Sequence, residues 1–575
     1  MRPNASRLVF VFQNILSLAL LHFVFGATAN ADASLPGEEC QMAVLSTWSD
    51  SEKWAWGRIC EDRIADFNKR YDVDLEAVEP DGWSSDRQIS SRFLETILLH
   101  EPYKSAIRRR GVRIVGAWFD KRISLSDAAI DHTIWLEGSR FEQGLLLPRV
   151  RTKKLISLNQ STVIGTLDLR SSEIGGGLFL SNAHFNQVNL SNAKIGARTS
   201  MSSSTFSDDV NMTSIEVSGD LFMRGGSRFD DVILQFAKIG GMQSFSQSTI
   251  SGELNMSGAD VQGNLFLNGQ FDGDVLLGRM NVGGAVSLSR AQFAGILDLS
   301  GSTIGGSVFM TESYMHDKLV ATFLTVEGNF DMSNGQFQAV DLSSTQIAGQ
   351  LRLGSTLNDP PNWRENSSLI LRAVTAGELQ DSFIEGHDSW PRLIELEGFD
   401  YKRLGGVAGG TLNHDLVARD ALWFINWLAR DKSYSPGPYT QLASVLRASG
   451  QKSKADDVLF AGKERERLLT DGPQWLGLTL LSYTTGYGYH YFYSLGWIAL
   501  LVFVGVAFLE RYGETDRHNI RFVYSLDMLL PIIKLRDLHY SIDLQSPARY
   551  YFYFHKVMGY ILASFLIAGL SGLTK

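Results

Sequence analysis

The sequence predicts a mainly β chain built around a parallel solenoid, and three observations lead there. From about Phe119 to Leu353 a large apolar residue returns every five or six positions, as in Leu169, Ile174, Leu180, Phe185, Leu190 and Ile195. These residues fall into two registers, each stepping by 21 to 23 residues. One reads Ile174, Ile195, Val217, Ile239, Val261, Val282, Ile304, Val326, Ile347, with a glycine one or two residues after each; the other reads Phe119, Phe141, Val163, Phe185, Phe206, Phe229, Ile250, Phe271, Phe293, Met315, Phe337. Between the registers lie triplets with two apolar positions, such as Leu167-Asp168-Leu169, Leu178-Phe179-Leu180 and Val286-Ser287-Leu288, which is the period-2 signal of a half-buried strand. A fixed period of this size marks stacked coils.

Two positions before several second-register residues stands a small one: Ala183, Ser204, Ser227, Ser248, Ala291. Small and bulky inward residues at five-residue spacing suit a narrow square coil with four short sides. On these residues the chain resembles the pentapeptide-repeat family, over about 235 of its 575 residues. The resemblance implies a right-handed quadrilateral β-helix, with many sides lengthened to six residues. One coil cannot bury its own apolar face, so each coil depends on its neighbours. About eleven coils at the inter-strand spacing make a rod on the order of 50 Å long, and both ends need caps.

With 44% apolar residues the chain has material for several cores, and its net charge of −9 argues against a nucleic-acid partner. Residues 1–31 read as a signal peptide: Arg2 and Arg7 precede a largely apolar run from Leu8 to Phe25, and Ala29-Asn30-Ala31 is a small-x-small cleavage site. The alternative is an uncleaved anchor; either way the following chain is exported. The two cysteines, Cys40 and Cys60, have 19 residues between them. In an exported domain they are a disulfide candidate, contributing roughly 3 kcal/mol by loop entropy, with two free buried thiols as the alternative. No cluster of ligand side chains in the sequence accompanies them, so no metal or cofactor is expected.

Residues 32–110 are expected to form an N-terminal helical cap, since Trp54, Trp56, Ile59, Ile64, Phe67 and later Phe93, Leu94, Ile97, Leu98 recur at helical spacing, with Ser90-Ser91 as an N-cap signal. The β-helix is assigned to 111–355. Closing coils and a linker occupy 356–410, opened by Asp359-Pro360-Pro361 and ended by Gly405 to Gly410. A helical region follows at 411–470; within it Tyr439, Leu442, Ala443, Leu446, Gly450, Ala455 and Leu459 have the spacing of one tetratricopeptide-type hairpin, read as a packing element.

Residues 471–575 are assigned to the membrane, with spans at about 491–509 and 555–573. Arg511, Arg517, Arg521, Lys534, Arg536 and Arg549 lie between the spans, which puts loop 511–549 in the cytoplasm and the rod outside. Leu526 to Ile533, broken by Pro531, is expected in the interface. With Phe93-Leu94-Glu95-Thr96-Ile97-Leu98-Leu99, Trp390-Pro391, Gly398-Phe399, the stretch from Pro438 to Gly450 and Leu529-Leu530-Pro531, the chain is similar to a bacterial branch of pentapeptide-repeat proteins with two C-terminal spans, some of which carry the label "membrane-associated oxidoreductase". This resemblance implies a fold and an address without a transferable activity. Soluble relatives that mimic duplex DNA need a cytoplasmic rod, which export opposes.

No nucleotide-binding glycine fingerprint, phosphate loop, zinc-protease motif or serine elbow is present in the sequence, and the 11 histidines are scattered. Asp208, Asp209, Asp230 and Asp231 offer paired carboxylates one period apart, against the plainer reading of solvated corners. The basic groups Arg108-Arg109-Arg110 with Arg113, and Arg149, Arg151, Lys153 and Lys154, read as solvated faces. Thr484-Thr485-Gly486-Tyr487-Gly488 resembles a potassium filter, but both spans follow it, so an interfacial or re-entrant turn is expected. The sequence therefore points to a non-enzymatic, membrane-anchored envelope protein of the bacterial inner membrane with its β-helix in the periplasm. Its partners would be the lipid bilayer and an unidentified protein, with room for a homo-oligomer. The competing reading is an envelope enzyme, redox or carbohydrate-active, with a site on the β-helix.

Overall fold

A computed structural model describes residues 40, 42–354, 359–382, 388–405, 416–490, 492–512, 518–530, 533–542, 544 and 547–571. The expected signal peptide, most of the glycine linker, Arg517 and Pro531 lie outside the described residues.

Strands of mostly two residues stack into a parallel β-solenoid of about 13 turns. At the usual inter-strand spacing this is a rod of about 60 Å. Four parallel ladders run along it. The first-register residues pair directly, Ile174 with Ile195, Ile195 with Val217, Val217 with Ile239, and onward to Ile347. The second ladder pairs Phe119 with Phe141, Phe141 with Val163, Val163 with Phe185 and Phe185 with Phe206. Its rings stack nearly parallel, with centroids 4.5 Å apart for Phe119–Phe141, 4.7 Å for Phe206–Phe229 and 5.0 Å for Phe271–Phe293. A third ladder runs through Ile134, Ile156, Leu178, Thr199 and Leu221, and a fourth through Leu145, Leu167, Val188, Val210 and Val232.

Such short strands hold because each coil donates its amides to the next: Leu180 N to Ser200 O and Met201 N to Phe222 O, both at 2.7 Å. The small inward residues do more than make room. The Ser204 hydroxyl donates to Leu180 O at 2.8 Å and accepts from Ala183 N at 3.1 Å, so a buried polar atom satisfies two coils. Ser227 and Ser248 donate in the same way to Met201 O and Met223 O.

The ladders outrun the expected β-helix at its N-terminal end and run on through the expected closing coils at the other. Ala65–Asp66, inside the expected helical cap, pairs with Ile114 and Val115. Beyond residue 355, the strands Asn362–Ile370, Thr375–Asp381, Leu393–Glu395 and Asp400–Tyr401 continue the stack. Pro360 and Pro361 disturb the spacing only at a corner; the ladder resumes where Asn362 N bonds Gly335 O at 2.7 Å.

The helices Asp50–Cys60 and Ser91–Leu99 close the N-terminal end. Ser49 and Glu52 form a capping box on the first, and the Glu52 carboxylate also accepts from Ser90 N at 3.0 Å. Ser90 itself caps the second helix through Phe93 N. Cys40 and Cys60 are joined in a disulfide with their Cα atoms 5.4 Å apart. Trp48 lies among Trp56, Phe93 and Tyr103, with ring centroids 5.0 to 5.9 Å away.

At the other end, Asp420 caps the helix Ala421–Ala429 by accepting from Trp423 N at 2.7 Å. The helices Pro436–Ala448 and Lys452–Leu469 form the expected hairpin, Tyr439 packing against Gly462. Both guanidinium arms of Arg419 clamp the fully buried Asp381 of the last coils, at 2.7 and 2.8 Å, and Trp390 Nε1 donates to the same carboxylate. One hydrophobic core runs from Trp48 to Val458 through cap, coils and hairpin.

The remaining helices are Gly472–Thr485, Phe492–Tyr512, His518–Leu529 and Ala548–Ser571. Among the described residues one helix, Phe492–Tyr512, is long and apolar enough to cross a membrane. The other expected span falls on Ala548–Ser571, whose first half carries Arg549, His555 and Lys556 and lowers its apolar content.

Arg419→Ala is expected to lower stability by about 3–5 kcal/mol, because it strands a buried carboxylate. Denaturant unfolding of the full chain in detergent, followed by tryptophan fluorescence, checks this; an unchanged midpoint would show that the clamp contributes nothing.

Candidate functional site

The outward positions beside the first ladder alternate in charge along the rod. Arg151, Glu173, Lys194, Glu216, Lys238 and Asp260 are register partners in consecutive coils. Glu216 lies 3.5 Å from both Lys194 and Lys238, and Asp260 accepts from Asn281 Nδ2 at 3.1 Å. A shallow cleft of about 570 Å³ runs along this face. The face can hold a partner of mixed charge, and it fixes coil register, since a slip by one coil sets like charges opposite.

The acidic group expected from sequence is assembled at one corner. Asp208 and Asp209 lead into Val210, which pairs with Val232 one coil on, so Asp230 and Asp231 stack beside them. Three of the four carboxylates accept local bonds: Asp208 from Asp209 N, Asp230 from Ser251 Oγ and Asp231 from Glu253 N. Burial, then the charges of Asp208, Asp231 and Asp230, push the Asp209 carboxyl above its ordinary range.

Of the basic groups, Arg109, Arg151, Lys153 and Lys154 are exposed, while the Arg110 backbone, Arg113 and Arg149 bond within the fold. Arg110 N donates to the Asp62 carboxylate at 3.0 Å and Arg113 to Asp62 O at 3.0 Å. Arg149 pairs with Asp127 through two bonds of 2.6 and 2.8 Å. The filter-like stretch is a left-handed turn ending the helix Gly472–Thr485: Gly486 and Tyr487 have φ of 54° and 57°. Tyr487 donates to Glu464 at 2.8 Å, which anchors the turn to the helix Lys452–Leu469. Among the described residues no group of His, Cys, Asp and Glu is placed to hold a metal ion.

No family model, curated protein or solved structure matches the chain. The chemistry of the site is therefore read from its geometry alone.

That geometry includes one cluster the sequence reading passed over. Asp527, fully buried, accepts from Leu535 N at 2.8 Å and Arg536 N at 3.2 Å, and lies 2.7 Å from His539 Nδ1. Burial pushes its carboxyl up, but the Leu535 amide, His539 and the Arg536 amide outweigh this and hold it below the ordinary range. Nearby, buried His555 lies 2.9 Å from Ser525 O and 3.1 Å from the Tyr551 hydroxyl, which donates to Leu501 O. The signal was a lone acid in the apolar run Leu526 to Leu530, which requires partners when buried. Its amide partners make it a structural tie between the helix His518–Leu529 and the segment after it.

Glu216→Lys places three positive side chains in consecutive coils and is expected to lower stability by roughly 1–2 kcal/mol, the loss shrinking at high salt. Thermal denaturation at low and high ionic strength reads both effects. For Asp209 the raised pKa favours the protonated fold, so its contribution is present at acid pH and lost as pH rises through the folded value. Asp209→Asn should therefore melt above the parent at neutral pH and level with it near about pH 3.

Proposed function

We propose that this chain is a non-enzymatic, membrane-anchored envelope protein that presents a rigid β-helical rod as an interaction surface. The observation carrying this reading is the unbroken hydrophobic core from Trp48 to Val458, which makes cap, coils and hairpin one stiff body with its C-terminal end next to the apolar helices. A body of this kind offers long, regular lateral faces. Four short ladders per coil, with inward residues about five apart, support a right-handed quadrilateral solenoid of the pentapeptide-repeat type.

In this reading Phe492–Tyr512 is the first span and Ala548–Ser571 carries the second. Val557, Tyr560, Ile561 and Ile567 on the latter are 43 to 58% exposed, which suits lipid contact. Leu476 and Leu480, both 64% exposed on the uncharged helix Gly472–Thr485, suit a helix lying in the interface. The signal-like pattern of residues 1–31 and the basic residues between the spans both support a rod on the periplasmic side of the inner membrane.

Reporter fusions after residues 355 and 525 test the arrangement. Alkaline phosphatase should be active at the first position and silent at the second; activity at both, or the reverse, would overturn it.

A further inference from the structure

The third ladder carries a second alternation, on its outward side. Phe179, Ser200, Phe222, Ser244, Phe266, Ser287 and Phe309 are register partners in seven consecutive coils. Each lies between two inward residues, as Phe266 lies between Leu265 and Leu267, both fully buried. An aromatic ring therefore recurs every second coil, about 9.6 Å apart, along a straight line.

The rings lie down on the face. The Phe179 ring edge occupies the space a Cβ at Gly177 would enter, 2.9 Å away. Ser244 is only 2% exposed although it faces outward, so the neighbouring rings cover it. At Phe222 the outer ring face is taken by the Arg224 guanidinium, 4.0 Å from the centroid, which shows that a flat group fits there. Phe266 and Phe309 are half-buried.

Around Phe266 the face is polar and uncharged; charge lies at its two ends, where Arg224 covers Phe222 and where Asp331, the register partner of Phe309, pairs with Arg352. The coil segments 242–246, 264–268, 285–289 and 307–311 contain no Asp, Glu, Lys or Arg on this side. Hydroxyls and amides flank the rings: Asn268 Nδ2 donates to Ser287 Oγ at 3.0 Å, and Ser289 and Thr311 share a bond of 2.7 Å. A neutral face excludes nucleic acid and anionic lipid. A coil side has no free strand edge, which excludes an added peptide strand. A repeating, uncharged ligand with flat apolar faces and hydroxyl rims fits both the spacing and the chemistry.

We propose that this face binds a linear chain of β-1,4-linked hexopyranoses, alternate sugars stacking on Phe266 and Phe309. The separation of the two platforms corresponds to two equatorially linked pyranose rings. This deepens the reading of the rod as an interaction surface by naming what it holds. Binding is measured on purified protein, so its failure and a failed topology map are distinguishable.

The full chain in detergent is tested against chitin, cellulose and purified peptidoglycan sacculi, which share this linkage, and by calorimetry against chito- and cello-oligosaccharides. Retention on at least one polymer is expected, with tetra- to hexasaccharides binding more tightly than disaccharides. The arms identify which sugar is taken. Phe266→Ala combined with Phe309→Ala should weaken binding about tenfold or more while leaving circular dichroism unchanged. Ser287→Arg, which blocks the line between the platforms without touching the core, should act likewise. No retention on any polymer, equal affinity for all lengths, or binding indifferent to both variants would overturn the proposal.

Discussion

The amide-to-carbonyl bond between one coil and the next is the constraint on which everything else rests. Strands of two residues have no stability of their own, and inward residues such as Leu178 and Phe185 are buried only because an identical side lies above and below. Register and burial are thus one event: when Leu180 N finds Ser200 O, Leu178 and Leu180 enter the core together. Every lateral face inherits that order, so side chains about 22 residues apart in the chain become neighbours in space. The fold turns a sequence period into a row.

Much of this was legible. A stacked coil imposes the same steric demand at the same place in every turn, so Ile174 to Ile347 and Phe119 to Phe337 announce two of the four rows. The third and fourth rows were visible only as triplets, since Thr199 and Gln243 interrupt the apolar series of the third. The outward rows were equally present in the letters, the charges as the residue before each first-register position and the rings as the middle residue of alternate triplets. They were harder to notice, because an exposed position tolerates any residue and shows order only once its neighbours are known. The pairing of Ala65–Asp66 with Ile114 and Val115 was hidden, as two residues inside a helical pattern carry no period.

The polar cluster illustrates another limit. Asp527, His539 and the amides of Leu535 and Arg536 meet through a chain reversal that has no repeat to announce it. The sequence showed an acid in an apolar run; only the fold supplies its partners. The Arg419–Asp381 clamp is similar, joining a helix leader to a coil across a segment of no recognisable pattern. Periodic parts of the chain can be read from one dimension, and the joints between them cannot.

The two outward alternations share a period of two coils, one in charge and one in ring size. Adding a single turn would put lysine against lysine on one side and ring against ring on the other. Within the coils from Arg151 to Asp260 and from Phe179 to Phe309, the length can therefore change without breaking either order only by paired turns, in increments of about 9.6 Å. The molecule is a gauge whose smallest graduation is two coils.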